Sequence, residues 1–237
     1  MGNSKTTTTV DDVCMDITEV TVAAYGACVD AGACTQPEFQ GSGTIIPTMM
    51  NEACNWKHPS GRANHPINCV SWHQAVAYCK FVGARLPNEA EWEWAARGGA
   101  KGSAYPWGDA EADGTNANAC GSECPKNYKA KFSALIEPLY PTDDGFPETA
   151  PVGSFTKGDN PWGVHDLAGN VWEWTSTTGK WDWTEAAEHS IAGTPAVVRG
   201  GAWNTSSQYS LTAAAQTDRE EISRMFAVVG FRCARTP

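Results

Sequence analysis

Gly169-Asn170-Val171-Trp172-Glu173-Trp174 is the stretch from which the fold is read. Gly and Asn both tolerate positive φ, so the pair marks a tight turn. The Val-Trp-Glu-Trp that follows favours a strand, yet it alternates large apolar groups with a carboxylate. Asp166 stands just before the turn. Two carboxylates flanking a turn, with its carbonyls free to face inward, form an all-oxygen nest suited to a hard cation such as Ca²⁺. An ordinary strand with a solvated Glu173 is the other reading of the same letters.

The composition around this stretch narrows the class. A chain of 237 residues with 23 Gly, 14 Pro and 11 Trp, and few long periodic segments, reads as a loop-rich domain whose indoles fill an irregular core. At this length roughly 70–75% of the unfolded surface is buried, so no staple is required merely to fold. A net charge of −10 argues against a nucleic-acid partner, which needs clustered Lys and Arg, and is compatible with cation binding. No apolar run approaches a membrane span.

Nine cysteines point to an oxidising compartment. Cys28 with Cys34 and Cys120 with Cys124 sit close enough to close short loops, and Cys54 and Cys69 bracket a Pro/His/Asn loop. No Cys-x-x-Cys pair occurs and the five histidines lack ligand spacing, which disfavours zinc. The odd count leaves one thiol over, assigned to Cys14. The chain is therefore expected to be exported, extracellular or periplasmic, its signal or lipid anchor lying outside these residues. Met1-Gly2-Asn3-Ser4-Lys5-Thr6 also fits an N-myristoylation template, which points the other way.

Residues 1–10 are polar and threonine-rich and read as a disordered tail; residues 11–237 read as one α+β domain. Cys14 to Val20 alternates like a strand, Thr21 caps a short helix ending near Gly32, and residues 35–66 read as a long loop. Ser71-Trp72-His73-Gln74 is a capping box that opens a helix stopping at Gly83. Asn88-Glu89-Ala90-Glu91 repeats it, with a stop at Gly98-Gly99. Beyond residue 100 turns dominate, with short strands expected at 150–155, 171–175, 197–203 and 229–234.

The ordered segments carry a resemblance. His65-Pro66-Ile67-Asn68-Cys69-Val70-Ser71-Trp72 is followed by the run from Gly83-Ala84-Arg85-Leu86-Pro87 to Arg97-Gly98-Gly99. Tyr105-Pro106-Trp107-Gly108-Asp109, Ala150-Pro151-Val152-Gly153-Ser154-Phe155, Gly169 to Trp174, Val198-Arg199-Gly200-Gly201-Ala202-Trp203 and Gly230-Phe231-Arg232-Cys233 complete the series. From about residue 12 onward the chain resembles the sulfatase-modifying-factor family, typified by formylglycine-generating enzymes. The resemblance implies a variant C-type-lectin fold, low in regular secondary structure, with two structural calcium ions. One site would use Asp166, the carbonyls of Gly169 and Val171, and Glu173, in agreement with the turn itself. The other would use Asn118, the carbonyl of Ala119, Asp144 and the carbonyl of Phe146, with Asn116 as another register. The resemblance also implies a Cys79–Cys233 disulfide; a second bridge found in some members falls on Ala96 and Ala215 and is absent.

Formylglycine-generating enzymes oxidise a substrate cysteine with two thiols that bind Cu(I), a metal that prefers thiolate donors. In this chain the two thiol positions fall on Thr205 and Ser210, the family's intervening histidine on Ser206 and its serine on Ala202. Hydroxyls are poor Cu(I) ligands, so no copper is expected and the oxidase mechanism has no site here. Trp203, Asn204, Thr205, Ser206, Tyr209 and Ser210 instead combine aromatic surface with small polar groups, a set suited to a peptide, protein or glycan ligand. The reading is a calcium-stabilised, non-catalytic recognition or scaffold domain. The alternative is an oxidase or peptide-maturation enzyme of altered chemistry, which a buried His–carboxylate pair opening into that cleft would favour.

Overall fold

The two capping boxes form as the sequence dictates. In the computed structural model, which describes residues 9–37, 53–178, 195–216, 220–221 and 226–237, the Ser71 hydroxyl accepts from Gln74 N and the Gln74 side chain accepts from Ser71 N. Asn88 and Glu91 exchange the same pair of bonds at 2.8 Å each. Each box satisfies two amides that a helix start leaves orphaned. The left-handed Gly83 and Gly98 follow the two helix ends, at φ 70° and 66°.

The elements in chain order are β1 (Cys14–Met15), α1 (Val22–Asp30), α2 (Pro59–Arg62), α3 (Trp72–Phe81), α4 (Glu89–Ala96), α5 (Cys124–Phe132), β2 (Trp172–Thr178), β3 (Pro195–Arg199), β4 (Glu220–Glu221), β5 (Val229–Gly230) and β6 (Ala234–Arg235). Four strands form a mixed sheet in the order β4-β3-β2-β5. β2 is its hinge: it pairs antiparallel with β3, placing Glu173 opposite Arg199, and parallel with β5, placing Glu173 opposite Gly230. A separate ribbon joins β1 to β6, so the two ends of the described chain meet.

Several elements depart from the sequence reading. The expected strand 14–20 is regular only at Cys14–Met15; beyond it, Asp16 N still donates to Cys233 O and Val20 N to Phe231 O, a broken ladder along the last strand. Residues 150–155 are turns rather than a strand, because Pro151 has no amide to donate and Gly153 is left-handed at φ 75°. β3 ends at Arg199, where Gly200 and Gly201 turn left-handed, and the strand expected at 229–234 divides into β5 and β6. Within the loop expected at 35–66, a 3₁₀ turn at Asn55–Lys57 and α2 are formed, while residues 38–52 lie outside the described residues. Residues 1–8 of the expected tail also lie outside them. α5 was not legible: it has no side-chain cap, and its lysine-rich sequence is polar on average.

The largest core cluster joins Val20, Tyr25, Ile67, Tyr78, Trp174, Val198 and Phe231. Tyr25 stacks on Tyr78 at 5.8 Å, and Phe231 meets both rings edge-on. The arrangement is the offset and edge-to-face packing that aromatic quadrupoles favour. Disulfides join Cys28–Cys34, Cys54–Cys69, Cys79–Cys233 and Cys120–Cys124, and Cys14 is free and exposed. Among the described residues no helix is long and apolar enough to cross a membrane.

Candidate functional site

The turn before β2 is built by backbone conformation that few residue types accept. Asp166, Gly169 and Asn170 all have positive φ, at 55°, 87° and 59°. At Gly169 a Cβ would lie 2.2 Å from Asn118 O, so only glycine fits. Asn170 N donates to that same carbonyl, Gly169 N to Gly200 O, and Trp203 N to Asn170 O. The turn therefore docks the 118 segment on one side and the 200–203 segment on the other.

Around this turn lies the first acidic pocket. Asp166 Oδ2 accepts from Gly153 N. Glu173, fully buried, receives Arg232 Nη2 on Oε1 at 2.7 Å, and Arg232 Nε and Trp92 Nε1 on Oε2 at 2.8 Å each. Its carboxylate is thus oriented by a guanidinium, which the sequence reading did not foresee. Glu19 joins the cluster from the N-terminal segment, its carboxyl facing that of Asp166 with no N–H donor reaching it. Burial, then the Asp166 charge, push the Glu19 carboxyl well above the usual carboxylate range, with Arg232 opposing. Burial likewise raises Asp166 against the pull of the Gly153 amide and Arg232. When ionised, the three carboxylates outnumber the single guanidinium. Oxygen donors with surplus negative charge are the chemistry of a hard-cation site.

The second acidic pocket brings further carboxylates beside the set the resemblance implied. Asp144 Oδ1 accepts from Phe146 N, and the Tyr140 hydroxyl lies 2.8 Å from Oδ2 while accepting from Ala119 N. The Ala119 carbonyl accepts from Gly121 N. Asn118 sends its amide to Glu148 O and Asn170 Oδ1, and its buried Oδ1 has no partner. Asp144, which also receives the Ala119 amide, meets Glu123 and Asp143, with one carboxylate oxygen of each within 4.8 Å of the others. Glu123 arrives on the ring closed by Cys120–Cys124, and Ser122 N ties that ring to Thr142 O. Burial raises both the Glu123 and the Asp144 carboxyl. Glu123 and Asp143 carry no signal in the sequence beyond being acidic, because their meeting depends on the ring.

The segment after β3 is mostly structural. Arg199 is buried and reaches Glu89 and Glu93 on α4 and the carbonyls of Ala213 and Ala215, so it clamps the sheet to α4 and the following loop. Gly200 and Gly201 reverse the chain, and the Thr205 hydroxyl accepts from Ala202 N to close the turn. A Cβ at Gly201 would stand 3.3 Å from Thr205 Oγ1 and 3.1 Å from Ser210 O, so positions 205 and 210 converge on one glycine. Trp203 is buried against Tyr128, which places it in the core rather than on a binding face. Ser206 and Tyr209 face solvent, with Tyr209 67% exposed, and Asn204 and Ser210 are half-buried. Gln208, between them, exchanges two bonds with the backbone of Ala112 and holds the loop in place. A His165–Asp159 pair at 2.6 Å lies against Gly153, on segment 153–165 and not on segment 200–210.

Known proteins resemble this chain over most of its length. The chain is 33% identical over 267 residues to the formylglycine-generating enzyme of Mus musculus, covering 95% of this chain and 66% of that protein. It is 38% identical over 200 residues to the formylglycine-generating enzyme of Thermomonospora curvata, covering 77% of this chain and 61% of that one. It is also 34% identical over 193 residues to the inactive C-alpha-formylglycine-generating enzyme 2 of Bos taurus, covering 77% and 56%. The chain thus spans less than two thirds of the length of these relatives. Among solved structures, PvdO from Pseudomonas aeruginosa superposes with a TM-score of 0.64 at 21% identity, covering 95% of this chain and 80% of that one. CarF does so with a TM-score of 0.61 at 21% identity, covering 95% and 86%. These likenesses show the fold: α+β, a variant C-type-lectin arrangement low in regular secondary structure. The family description for the sulfatase-modifying factor enzyme 1-like domain (FGE-sulfatase) matches residues 2–237, and the chain belongs to that family.

Proposed function

We propose that this chain is an exported, calcium-stabilised, non-catalytic member of its family that acts in ligand recognition or as a scaffold. One observation carries the reading: the two positions that would hold copper thiolates are Thr205 and Ser210, and the Thr205 hydroxyl is already committed to Ala202 N. The resemblance to relatives named inactive supports it. The test is a mass-spectrometric turnover assay of the purified protein with a Cys-x-Pro-x-Arg peptide, Cu(I) and oxygen, beside an active homologue. No aldehyde is expected; conversion of the peptide would overturn the reading.

Ligand recognition belongs to the solvent-facing part of the segment, Asn204, Ser206 and Tyr209, with Ser210 at its edge and Trp203 and Thr205 as the buried frame beneath. An exposed phenol beside small polar groups accommodates a peptide, protein or glycan surface. Export is supported by the four disulfides.

Calcium at both acidic pockets would serve stability. The first pocket would take it with Asp166, the carbonyls of Gly169 and Val171, and Glu173. The second would use Asn118, Ala119, Asp144 and Phe146. A ligand bound only by the native state at 100 times its Kd adds about 2.7 kcal/mol, so chelation is expected to lower the melting temperature by several degrees. Asp166→Ala and Glu173→Ala are each expected to reduce the calcium stoichiometry by one. A melting temperature indifferent to chelator, or a stoichiometry unchanged in both variants, contradicts the calcium reading.

A further inference from the structure

Trp94 and Trp162 are indoles that the fold leaves in solvent, 41% and 59% exposed. They come from different segments yet meet over one residue. A Cβ at Gly99 would lie 3.3 Å from Trp94 Cε2 and Cζ2 and 2.9 Å from Trp162 Cη2. Gly99 has φ 64° and no side chain to part the rings, so the two indoles make one aromatic surface.

The turn that carries Trp162 is built to hold it there. Asn160, only 4% exposed, donates through Nδ2 to the Ala95 carbonyl on α4. Its Oδ1 accepts from Trp162 N and Val164 N, and its carbonyl accepts from Gly163 N. Pro161 packs on the same loop, 3.4 Å from where a Gly98 Cβ would stand. Trp94 lies on α4 itself, next to the residue that anchors the turn. Both rings are thereby fixed to one helix, and a ligand lying on them orders little that is not already ordered. Singly exposed apolar residues need no explanation, but a joined pair with a polar rim marks a ligand surface.

Size and rim select the ligand. Two indoles about half exposed offer on the order of 200 Å². Each partner in a stable protein interface contributes roughly 800 Å², so the patch is too small for a second copy or a docked domain. It suits one or two sugar rings. A pyranose presents polarised C–H groups on its face, which the negative face of an indole attracts, and hydroxyls on its edge, which need polar partners. Glu93 and Arg97 supply them: they flank Trp94 in the chain, pair at 3.4 Å and have side chains 31% and 43% exposed. Neither indole N–H has an acceptor among the described residues, which leaves two further donors. A net charge of −10 repels acidic sugars and favours neutral ones.

We propose that Trp94 and Trp162 form a stacking platform for a neutral oligosaccharide with equatorial ring hydroxyls, whose edge bonds to Glu93 and Arg97. The platform lies on segments other than 204–210 and does not depend on recognition there.

The experiment is calorimetric titration of the full chain with cellohexaose, a neutral β-linked glucose chain whose ring hydroxyls are all equatorial. Wild type is expected to bind, and Trp94→Ala and Trp162→Ala are each expected to weaken binding by about 10-fold or more, the scale of one lost aromatic stack with its buried area. Circular dichroism and melting check that both variants keep the fold. Trp162→Phe should retain most of the affinity and Trp162→Leu should lose it, because a ring face and not apolar bulk is required. Absence of binding by wild type overturns the proposal. So does binding that survives both alanine variants; if it falls in Tyr209→Ala instead, the sugar belongs to segment 204–210 and that reading stands alone. Decaproline is the control ligand: its binding in place of the sugar, lost in Trp162→Ala, would identify a polyproline site and overturn the sugar assignment. A mass that grows with concentration in wild type but not in Trp162→Ala would overturn it in favour of a contact between copies.

Discussion

Replacing Cys79 and Cys233 together by alanine is expected to lower the unfolding free energy by about 5 kcal/mol. The bridge closes a loop with a sequence separation of 154, and in the chain-entropy account the stabilisation grows with the logarithm of that length. Both sulfurs are buried in the main cluster, where α3 meets the last segment of the chain, so their loss also loosens packing. The Cys28–Cys34 bridge, with a separation of 6, is expected to contribute about 2 kcal/mol by the same relation. Domains of ordinary stability have about 5–15 kcal/mol in total, so the first variant should be unfolded or close to it at 37 °C. Denaturant melts of the two double variants check both the size and the order. A Cys79/Cys233 variant no less stable than the Cys28/Cys34 one would show that the long bridge joins parts already held by packing.

Arg232→Met is expected to cost about 3–5 kcal/mol, the range for removing one partner of a buried pair. The guanidinium is fully buried, and it serves three segments at once: Glu173 on β2, His165 in the preceding turn, and Asp16 and Ile17 near the N-terminus. Its removal leaves Glu173 charged in a dry interior and frees three carbonyls. Arg232→Met with Glu173→Leu should recover a substantial part of the loss, because replacing both partners by apolar groups is far less costly than leaving one alone. Urea melts of the single and double variants measure this directly. A double variant as unstable as the single one would mean that the carbonyl contacts, and not the ion pair, carry the effect.

Both predictions concern long-range ties, and they mark where the sequence stopped being readable. The capping boxes at Ser71 and Asn88 were legible because cap and amide lie three residues apart, and the structure reproduces both. The turn at Gly169–Asn170 was legible for the same reason, since positive φ selects its residues locally. The strand expected at 150–155 does not form, because Pro151 has no amide to donate and Gly153 turns left-handed. Trp203 looks like a binding residue in one dimension, and only its neighbour Tyr128, from a helix the sequence did not announce, places it inside. Glu123 and Asp143 were passed over because their approach to Asp144 depends on a small disulfide ring docked against Thr142.

By itself the sequence determined the family, the capped helices, the short-range cysteine loops and the absence of thiols at positions 205 and 210. Each of these rests on residue identity at fixed spacing, which a linear chain displays. The tertiary structure decided which carboxylates are paired and which are left over. Glu173 found Arg232 across 59 residues, and Glu19 was buried beside them facing Asp166. Burial and pairing are properties of surroundings assembled from distant segments, and the energy of a buried charge depends on those surroundings far more than on its place in the chain.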